Sequence, residues 1–374
     1  MPDERIFRQR IARLRQTLLA PLGLDMLLAY ADDTLDAGAV RYLTDFDVYA
    51  MYALVLVPRC GDVALAFGLH HSAYLVRVRD AATADYFHGT YAPGELCRRL
   101  LAETAPASAP RIGIVGGARM MRRIDADLRQ HLPGAEFVAV DEAFRRLVAG
   151  SDVEDGASDC LRRSAAIARQ SIAAAATAVG QRSGREIAAE IGFAARRFGA
   201  DVLNREMVLI ALAAGSPLPE RLGPAAAAAQ VKDALAIEVS PGYRGYRTLC
   251  GRTFLASAER AAQRARLEAA FEVHREICAL VQPGLSAGGV ADKARSILAR
   301  AGSAPAPDAK LGHGIGLSLI QEPILRSGNP AEILPGSALA VRTRHGGDAL
   351  GTIHLADTVL VTAEGGEVLT APAR

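Results

Sequence analysis

Apolar residues recur at helical spacing between Glu4 and Ala20, at Ile6, Ile11, Leu14 and Leu18 with arginines between them. That spacing predicts an amphipathic helix lying over a sheet. Short apolar runs bounded by Gly, Pro or Asp follow at residues 26–30, 52–58, 63–67 and 111–115 and read as strands. With helices between them they give an α/β layer. Past residue 150 the pattern changes. Alanine-rich amphipathic segments predict helices at 158–179 and 185–198, split by Gly180-Gln181-Arg182-Ser183-Gly184, and a third at 259–281 ahead of Pro283-Gly284. The remainder of this half reads mostly as strand, so its pattern is α+β.

The run Ala149-Gly150-Ser151-Asp152-Val153-Glu154-Asp155-Gly156 is small and polar, as a linker is, and divides the chain into residues 1–150 and 151–374. A length of 374 residues also exceeds what one core usually serves. Half the residues are apolar, so the chain is globular. The formal charge is only +2 and the arginines are scattered, which marks neither a nucleic-acid nor a membrane surface. The first eight residues are charged where a signal peptide would be apolar, and no apolar run is long enough to span a bilayer, so a cytoplasmic protein is expected. The five cysteines, Cys60, Cys97, Cys160, Cys250 and Cys278, are widely spaced without a CxxC pair. Cys250 reads as a packing residue, since no histidine is near it in sequence, and the other four as buried thiols.

One stretch concentrates candidate chemistry. Gly312-His313-Gly314-Ile315-Gly316-Leu317-Ser318-Leu319-Ile320-Gln321-Glu322-Pro323 sets one imidazole among three glycines, as in a strand turning into a tight bend where the backbone passes close to something. Its histidine either fills that turn or is presented to a ligand. Three further segments accompany it: Glu238 through Phe254, Leu334 through Arg342, and Ala356 through Thr362. Together, in this order, they resemble the C-terminal domain of the creatinase/aminopeptidase P/methionine aminopeptidase family. Arg13 through Asp25 and Arg41-Tyr42-Leu43-Thr44-Asp45-Phe46 resemble the non-catalytic N-terminal domain of creatinase and prolidase relatives. The fold this implies is an α/β N-terminal domain plus an α+β pita-bread C-terminal domain, creatinase/prolidase-like, and usually a dimer. In such relatives His70 and His71, after the third strand, either reach a partner subunit's pocket or form a solvated pair.

The metallopeptidases of this family hold two metal ions with two aspartates, a histidine and two glutamates. Matching the motifs puts Glu238 and Leu249 at the aspartate positions, His313 at the histidine, and Arg342 and Ala356 at the glutamates, with Asp357 retained beside the last. Only His313 is unchanged. One carboxylate and one imidazole are too few for a catalytic divalent ion, and a guanidinium at a ligand position repels it, so no metal and no cofactor is expected. The family's second histidine falls on Ile320, with its glutamate at Gln321 or, after a one-residue slip, at Glu322. Another histidine of the family falls near Arg221, with Pro224 after it.

Creatinase lacks metal too, but a carboxylate of its site has become the cation Arg342 here. That inversion fits a small anionic substrate held by Arg342 and Arg221, with Tyr246, Arg247, Arg344, His345 and Glu322 near it, because guanidinium donors match carboxylate or phosphate bidentately. Equally, Arg342 pairs with Glu238 and plugs an empty metal cavity. Two functions follow. One is a metal-independent enzyme in which His313, oriented by Glu238, moves a proton during hydrolysis or elimination at a C–N bond. The other is a pseudoenzyme serving as a binding module or as the silent partner of an active paralogue. The resemblance implies a dimer, either a homodimer or a heterodimer with a paralogue. The retained His313 and the new arginines tip the reading to the enzyme. An open, polar pocket distinguishes it from a pseudoenzyme, whose pocket is filled by Leu249 and close-packed side chains.

Overall fold

The computed structural model describes residues 4–32, 38–48, 51–68, 82–104, 109–149, 156–201, 207–212, 220–221, 234–255, 261–303, 305–346 and 353–371. The chain divides into two compact units, Met1–Asp155 and Gly156–Arg374.

The first unit begins with α1 (Glu4–Leu14), whose apolar stripe buries Phe7, Ile11 and Leu14. A π-helical turn at Arg15–Leu19 extends it, and Gly23 ends it in the left-handed conformation, which glycine adopts without steric cost. Six strands follow: β1 (Met26–Asp32), β2 (Tyr52–Pro58), β3 (Ala64–Phe67), β4 (Tyr86–Gly89), β5 (Arg111–Val115) and β6 (Glu136–Ala139). They form one mixed sheet in the order β4-β3-β2-β1-β5-β6. Strands β1 and β2 are buried along nearly their whole length, so they read as continuous apolar runs rather than alternating ones. Tyr30, Leu54 and Ile112 of this sheet pack with Leu96 and Leu100 of α2 (Gly94–Thr104) and Ile124 and Leu128 of α3 (Arg122–His131).

The second unit opens with α4 (Ala157–Ala176) and α5 (Gly184–Arg197). Ser183 and Glu186 form a reciprocal capping box that fixes the start of α5. Its sheet comprises β7 (Met207–Leu212), β8 (Glu220–Arg221), β9 (Ala234–Val239), β10 (Cys250–Leu255), β11 (Gly312–Ile315), β12 (Gln321–Leu325), β13 (Ala338–His345), β14 (Ile353–Val361) and β15 (Gly366–Val368). The order is β12-β11-β13-β14-β10-β9-β7-β8, with β15 beside β14 and every described pairing antiparallel. Helices α4 and α5 cover Leu235, Ile237 and Val239 of β9. Helices α6 (Ala261–Ala279) and α7 (Ala287–Arg300) cover Leu339, Val341, Val359 and Val361 of β13 and β14.

Helix α7 adds a fourth helix to the three expected in this half, whose remainder reads mostly as strand. Two glycines in its first turn, Gly288 and Gly289, hide the helical pattern. Gly288 is there because the backbone of Asn329 packs against that turn: a Cβ would sit 2.8 Å from the Asn329 nitrogen, while the Gly288 N–H donates to the Asn329 carbonyl at 2.8 Å. The Ser286 side chain accepts from the Gly289 N–H and caps the helix.

Candidate functional site

Four antiparallel strands carry one transverse row of residues. Glu238 of β9 lies opposite Gly251 of β10, Gly251 opposite Ala356 of β14, and Ala356 opposite Arg342 of β13. On β11, His313 lies opposite Ala340, two residues from Arg342 and so on the same face. The two central members are the smallest side chains available, and this lets the long end members meet over them. At Gly251 even a methyl would fall 2.8 Å from the Ala356 Cβ and 3.3 Å from His354 Nε2.

Over that gap Arg342 grips Glu238 with two parallel hydrogen bonds, Nε to Oε2 and Nη2 to Oε1, each 2.9 Å. Its Nη1 donates to His313 Nε2 at 2.7 Å. His313 Nδ1 faces the Gly314 carbonyl at 2.8 Å, and since a carbonyl only accepts, Nδ1 carries the proton and Nε2 the lone pair. His354 Nε2 donates to Glu238 Oε2 at 2.9 Å, while its buried Nδ1 meets no partner among the described residues. A chain of contacts thus runs His354, Glu238, Arg342, His313, Gly314. Burial pushes His313 down to about 4, the Arg342 charge adding to it, so the ring is neutral. Burial alone would push the Glu238 carboxyl up, but the His354 hydrogen bond and the Arg342 charge outweigh it and hold the group well below the usual carboxylate range.

The remaining two positions are apolar. Leu249 is 2% exposed and packs with Ile315, Ala340, Ala356 and Leu360. Its backbone is fixed from both sides, the N–H donating to Thr358 Oγ1 at 2.7 Å and its carbonyl accepting from the same hydroxyl at 2.9 Å. The five positions therefore offer a carboxylate and an imidazole, both engaged by Arg342, together with a cation, a methyl and an isobutyl group. That donor set does not fit a dinuclear metal centre.

The structure brings Glu238, His313 and Arg342 together but corrects the expected orientation of the histidine. Gly314 and Arg342 fix the ring, and Glu238 makes no hydrogen bond to it. Tyr246 packs at the edge of the Leu249 cluster, and the Arg247 N–H donates to the Gly316 carbonyl, joining that segment to the glycine bend. Glu322 does not join the site: it is exposed, and its carboxylate accepts from the Ile324 N–H at 2.9 Å. His345 points to the other side of β13, bonded to Thr343, and Arg344 is exposed. Arg221 pairs with Ile210 through its backbone, its side chain lying outside the described residues, as do His70, His71 and Pro224. Of the cysteines expected to be buried, Cys60 is exposed and Cys160 half-buried; Cys250 is buried, its thiol pushed up to about 12 by burial. His354 was missed, although period-two alternation on a strand places it on the face of Ala356.

Residues 159–363 match the model of metallopeptidase family M24. The chain belongs to this family. A relative is the Xaa-Pro dipeptidase of Pyrococcus horikoshii, 25% identical over 247 residues that span 63% of this chain and 66% of the relative. The stretch matched is therefore somewhat under two thirds of that protein. Among solved structures, the X-Pro aminopeptidase from Thermotoga maritima superposes with a TM-score of 0.79 at 17% identity, covering 97% of this chain and 98% of that one. The N-terminal domain of the FACT complex subunit SPT16 from chickpea does so with a TM-score of 0.71 at 14% identity, covering 100% and 97%. The family and these likenesses give the chain the two-domain pita-bread architecture of prolidases, and membership in a family of hydrolases. Among the described residues no helix is long and apolar enough to cross a membrane.

Proposed function

We propose that this chain is a pita-bread protein in which the family's catalytic centre has become an internal ion-pair strut that holds no metal, and that it works by binding, as a partner module. One observation carries the reading: Arg342 occupies both retained donors, the Glu238 carboxylate and the His313 lone pair. A base whose lone pair is held by a guanidinium 2.7 Å away, and whose affinity for protons lies near pH 4, accepts no proton from a substrate at neutral pH. Leu249 is buried in one cluster with Ala340, the residue opposite His313. The partner is a second copy of this chain or a paralogue; the likeness to a domain of a complex subunit is compatible with such a role.

A second reading rests on a separate feature. The Arg342 side chain keeps 25% exposure, and of the five N–H donors of a guanidinium three serve Glu238 and His313, so two face elsewhere. A small carboxylate or phosphate matches those two donors, and a hydrolase acting on such a substrate would bind it there.

Purified protein assayed with Xaa-Pro dipeptides and creatine, with elemental analysis of wild type and His313→Ala, tests the proposal. No turnover is expected, and the same metal content in both proteins. Turnover lost in His313→Ala, or an ion whose retention depends on His313, overturns it. If a small anion raises the melting temperature of wild type but not of Arg342→Ala, and turnover accompanies it, the second reading holds instead.

A further inference from the structure

Behind the strut, a second polar cluster lies buried on the opposite face of the same strands. Asp357 follows Ala356 on β14 and Thr343 follows Arg342 on β13, and neighbouring strand residues point to opposite faces. Helix α6 packs there and presents His274 and Cys278, four residues apart and hence on one side of the helix. All three of His274, Cys278 and Asp357 are buried, at 2%, 1% and 5% exposure.

Their ligand atoms converge, all lying within 4.8 Å of one another. His274 Nε2 is 3.2 Å from Asp357 Oδ2 and 3.5 Å from Cys278 Sγ. Bonds of about 2.05 Å to nitrogen or oxygen and about 2.3 Å to sulfur, spread tetrahedrally, put N and O about 3.3 Å apart and N and S about 3.6 Å apart. The two observed separations are those of a tetrahedral shell. Outer contacts orient two of the three ligands, the histidine and the carboxylate, as metal sites require. His274 Nδ1 meets Thr343 Oγ1 at 2.8 Å, and Asp357 Oδ1 accepts from Arg252 Nη2 at 2.8 Å and from Thr370 Oγ1 at 2.6 Å, which turns Oδ2 toward the histidine.

We propose that His274 Nε2, Cys278 Sγ and Asp357 Oδ2 form a binding site for one zinc-class divalent ion, distinct from the family's dinuclear position. Thiolate, imidazole and carboxylate together suit zinc or cobalt rather than magnesium or calcium. On loading, the Cys278 S–H gives its proton to solvent as sulfur bonds the ion. In the metal-free protein His274 Nε2–H donates to Asp357 Oδ2; on loading the ring gives up that proton and takes one on Nδ1, which donates to Thr343 Oγ1, so Nε2 offers its lone pair with no net change in the protons on the ring. Thiolate and carboxylate balance the double charge of the ion, and a proton is released for each ion bound. The site is independent of how Arg342 functions.

Chelator-treated full-length protein titrated with Co²⁺ tests this. Expected are one equivalent bound, intense visible bands of a tetrahedral site, a thiolate-to-cobalt charge-transfer band and a proton released per ion. Cys278→Ser should abolish the charge-transfer band. Thr343→Val should keep the band and weaken affinity about 10- to 100-fold. Substitutions at Cys60 and His313 should change neither. No charge-transfer band in the wild type, a band surviving Cys278→Ser, or one lost in Cys60→Ser or His313→Ala overturns the proposal. Should Cys278→Ser fail to fold, the wild-type titration still decides, since cobalt binding without proton release excludes a thiolate ligand.

Discussion

His313 is held neutral across the range in which histidines ordinarily titrate. Its folded value near 4 lies below the ordinary 6.5, so between those pH values the unfolded chain binds the proton that the folded one refuses. Stability is therefore full above about pH 6.5 and falls as pH drops toward 4, by about 3 kcal/mol from this residue. His345, also lowered to about 4 by burial, His274 and Arg266, acts in the same sense. Denaturant unfolding at pH 7 and pH 4.5 should show wild type losing more stability than His313→Gln, the difference isolating this ring; equal losses would mean His313 is protonated in the folded state. Arg342→Ala tests the other end of the contact. It leaves Glu238, 9% exposed at its side chain, with His354 alone, and should cost about 3 kcal/mol in denaturant unfolding. An unchanged unfolding midpoint would indicate that the guanidinium serves a ligand rather than the fold.

Among the elements, the strand bearing His313 leaves no room for side chains at two of its glycines. A Cβ on Gly312 would collide with the Ala340 carbonyl oxygen, and one on Gly314 with the Glu322 carbonyl oxygen. Either alanine substitution should destabilise by about 3 kcal/mol, the upper end for overpacking, read from denaturant unfolding. The glycines thus mark close backbone approach, which the sequence displays openly. Apolar runs at 52–58 and 111–115 were legible because those strands are buried almost throughout, and the alanine-rich helices because each buries one face of fixed period. Helix α7 was not, because its first turn is shaped by the Asn329 loop, far along the chain. The site was legible as far as motif spacing reaches, to Glu238, Leu249, His313, Arg342 and Ala356. Which atoms meet was not: that His354 rather than His313 bonds Glu238 depends on the register of β14 against β10, which no local pattern encodes.

At the scale of the whole molecule, the family's scaffold is present while its ligand positions carry a carboxylate, an imidazole, a guanidinium and two apolar side chains. If the strands still stand where the ligands stood, Glu238→Asp, Leu249→Asp, Arg342→Glu and Ala356→Glu made together should create a His313-dependent metal site. The apo form of that variant should be less stable than wild type, since it buries uncompensated carboxylates. Mn²⁺ at a hundredfold excess over its dissociation constant should then stabilise it by about 2.7 kcal/mol, visible as a rise in melting temperature. Absence of any Mn²⁺-dependent rise would mean that the strands have moved apart along with the ligands.

The small residues beneath the strut, Gly251 and Ala356, also bear on the route by which such a site changes hands. Arg342→Glu alone would set a second carboxylate against buried Glu238, and Leu249→Asp alone would bury one among Ile315, Ala340 and Leu360. Ala356→Glu alone would press a longer chain into the gap that Arg342 spans. Each of these three single steps toward metal binding is thus uphill, although all four changes together need not be. The ion pair would behave as a ratchet: with the arginine seated, these positions can drift in sequence but not reach a metal site by these single changes.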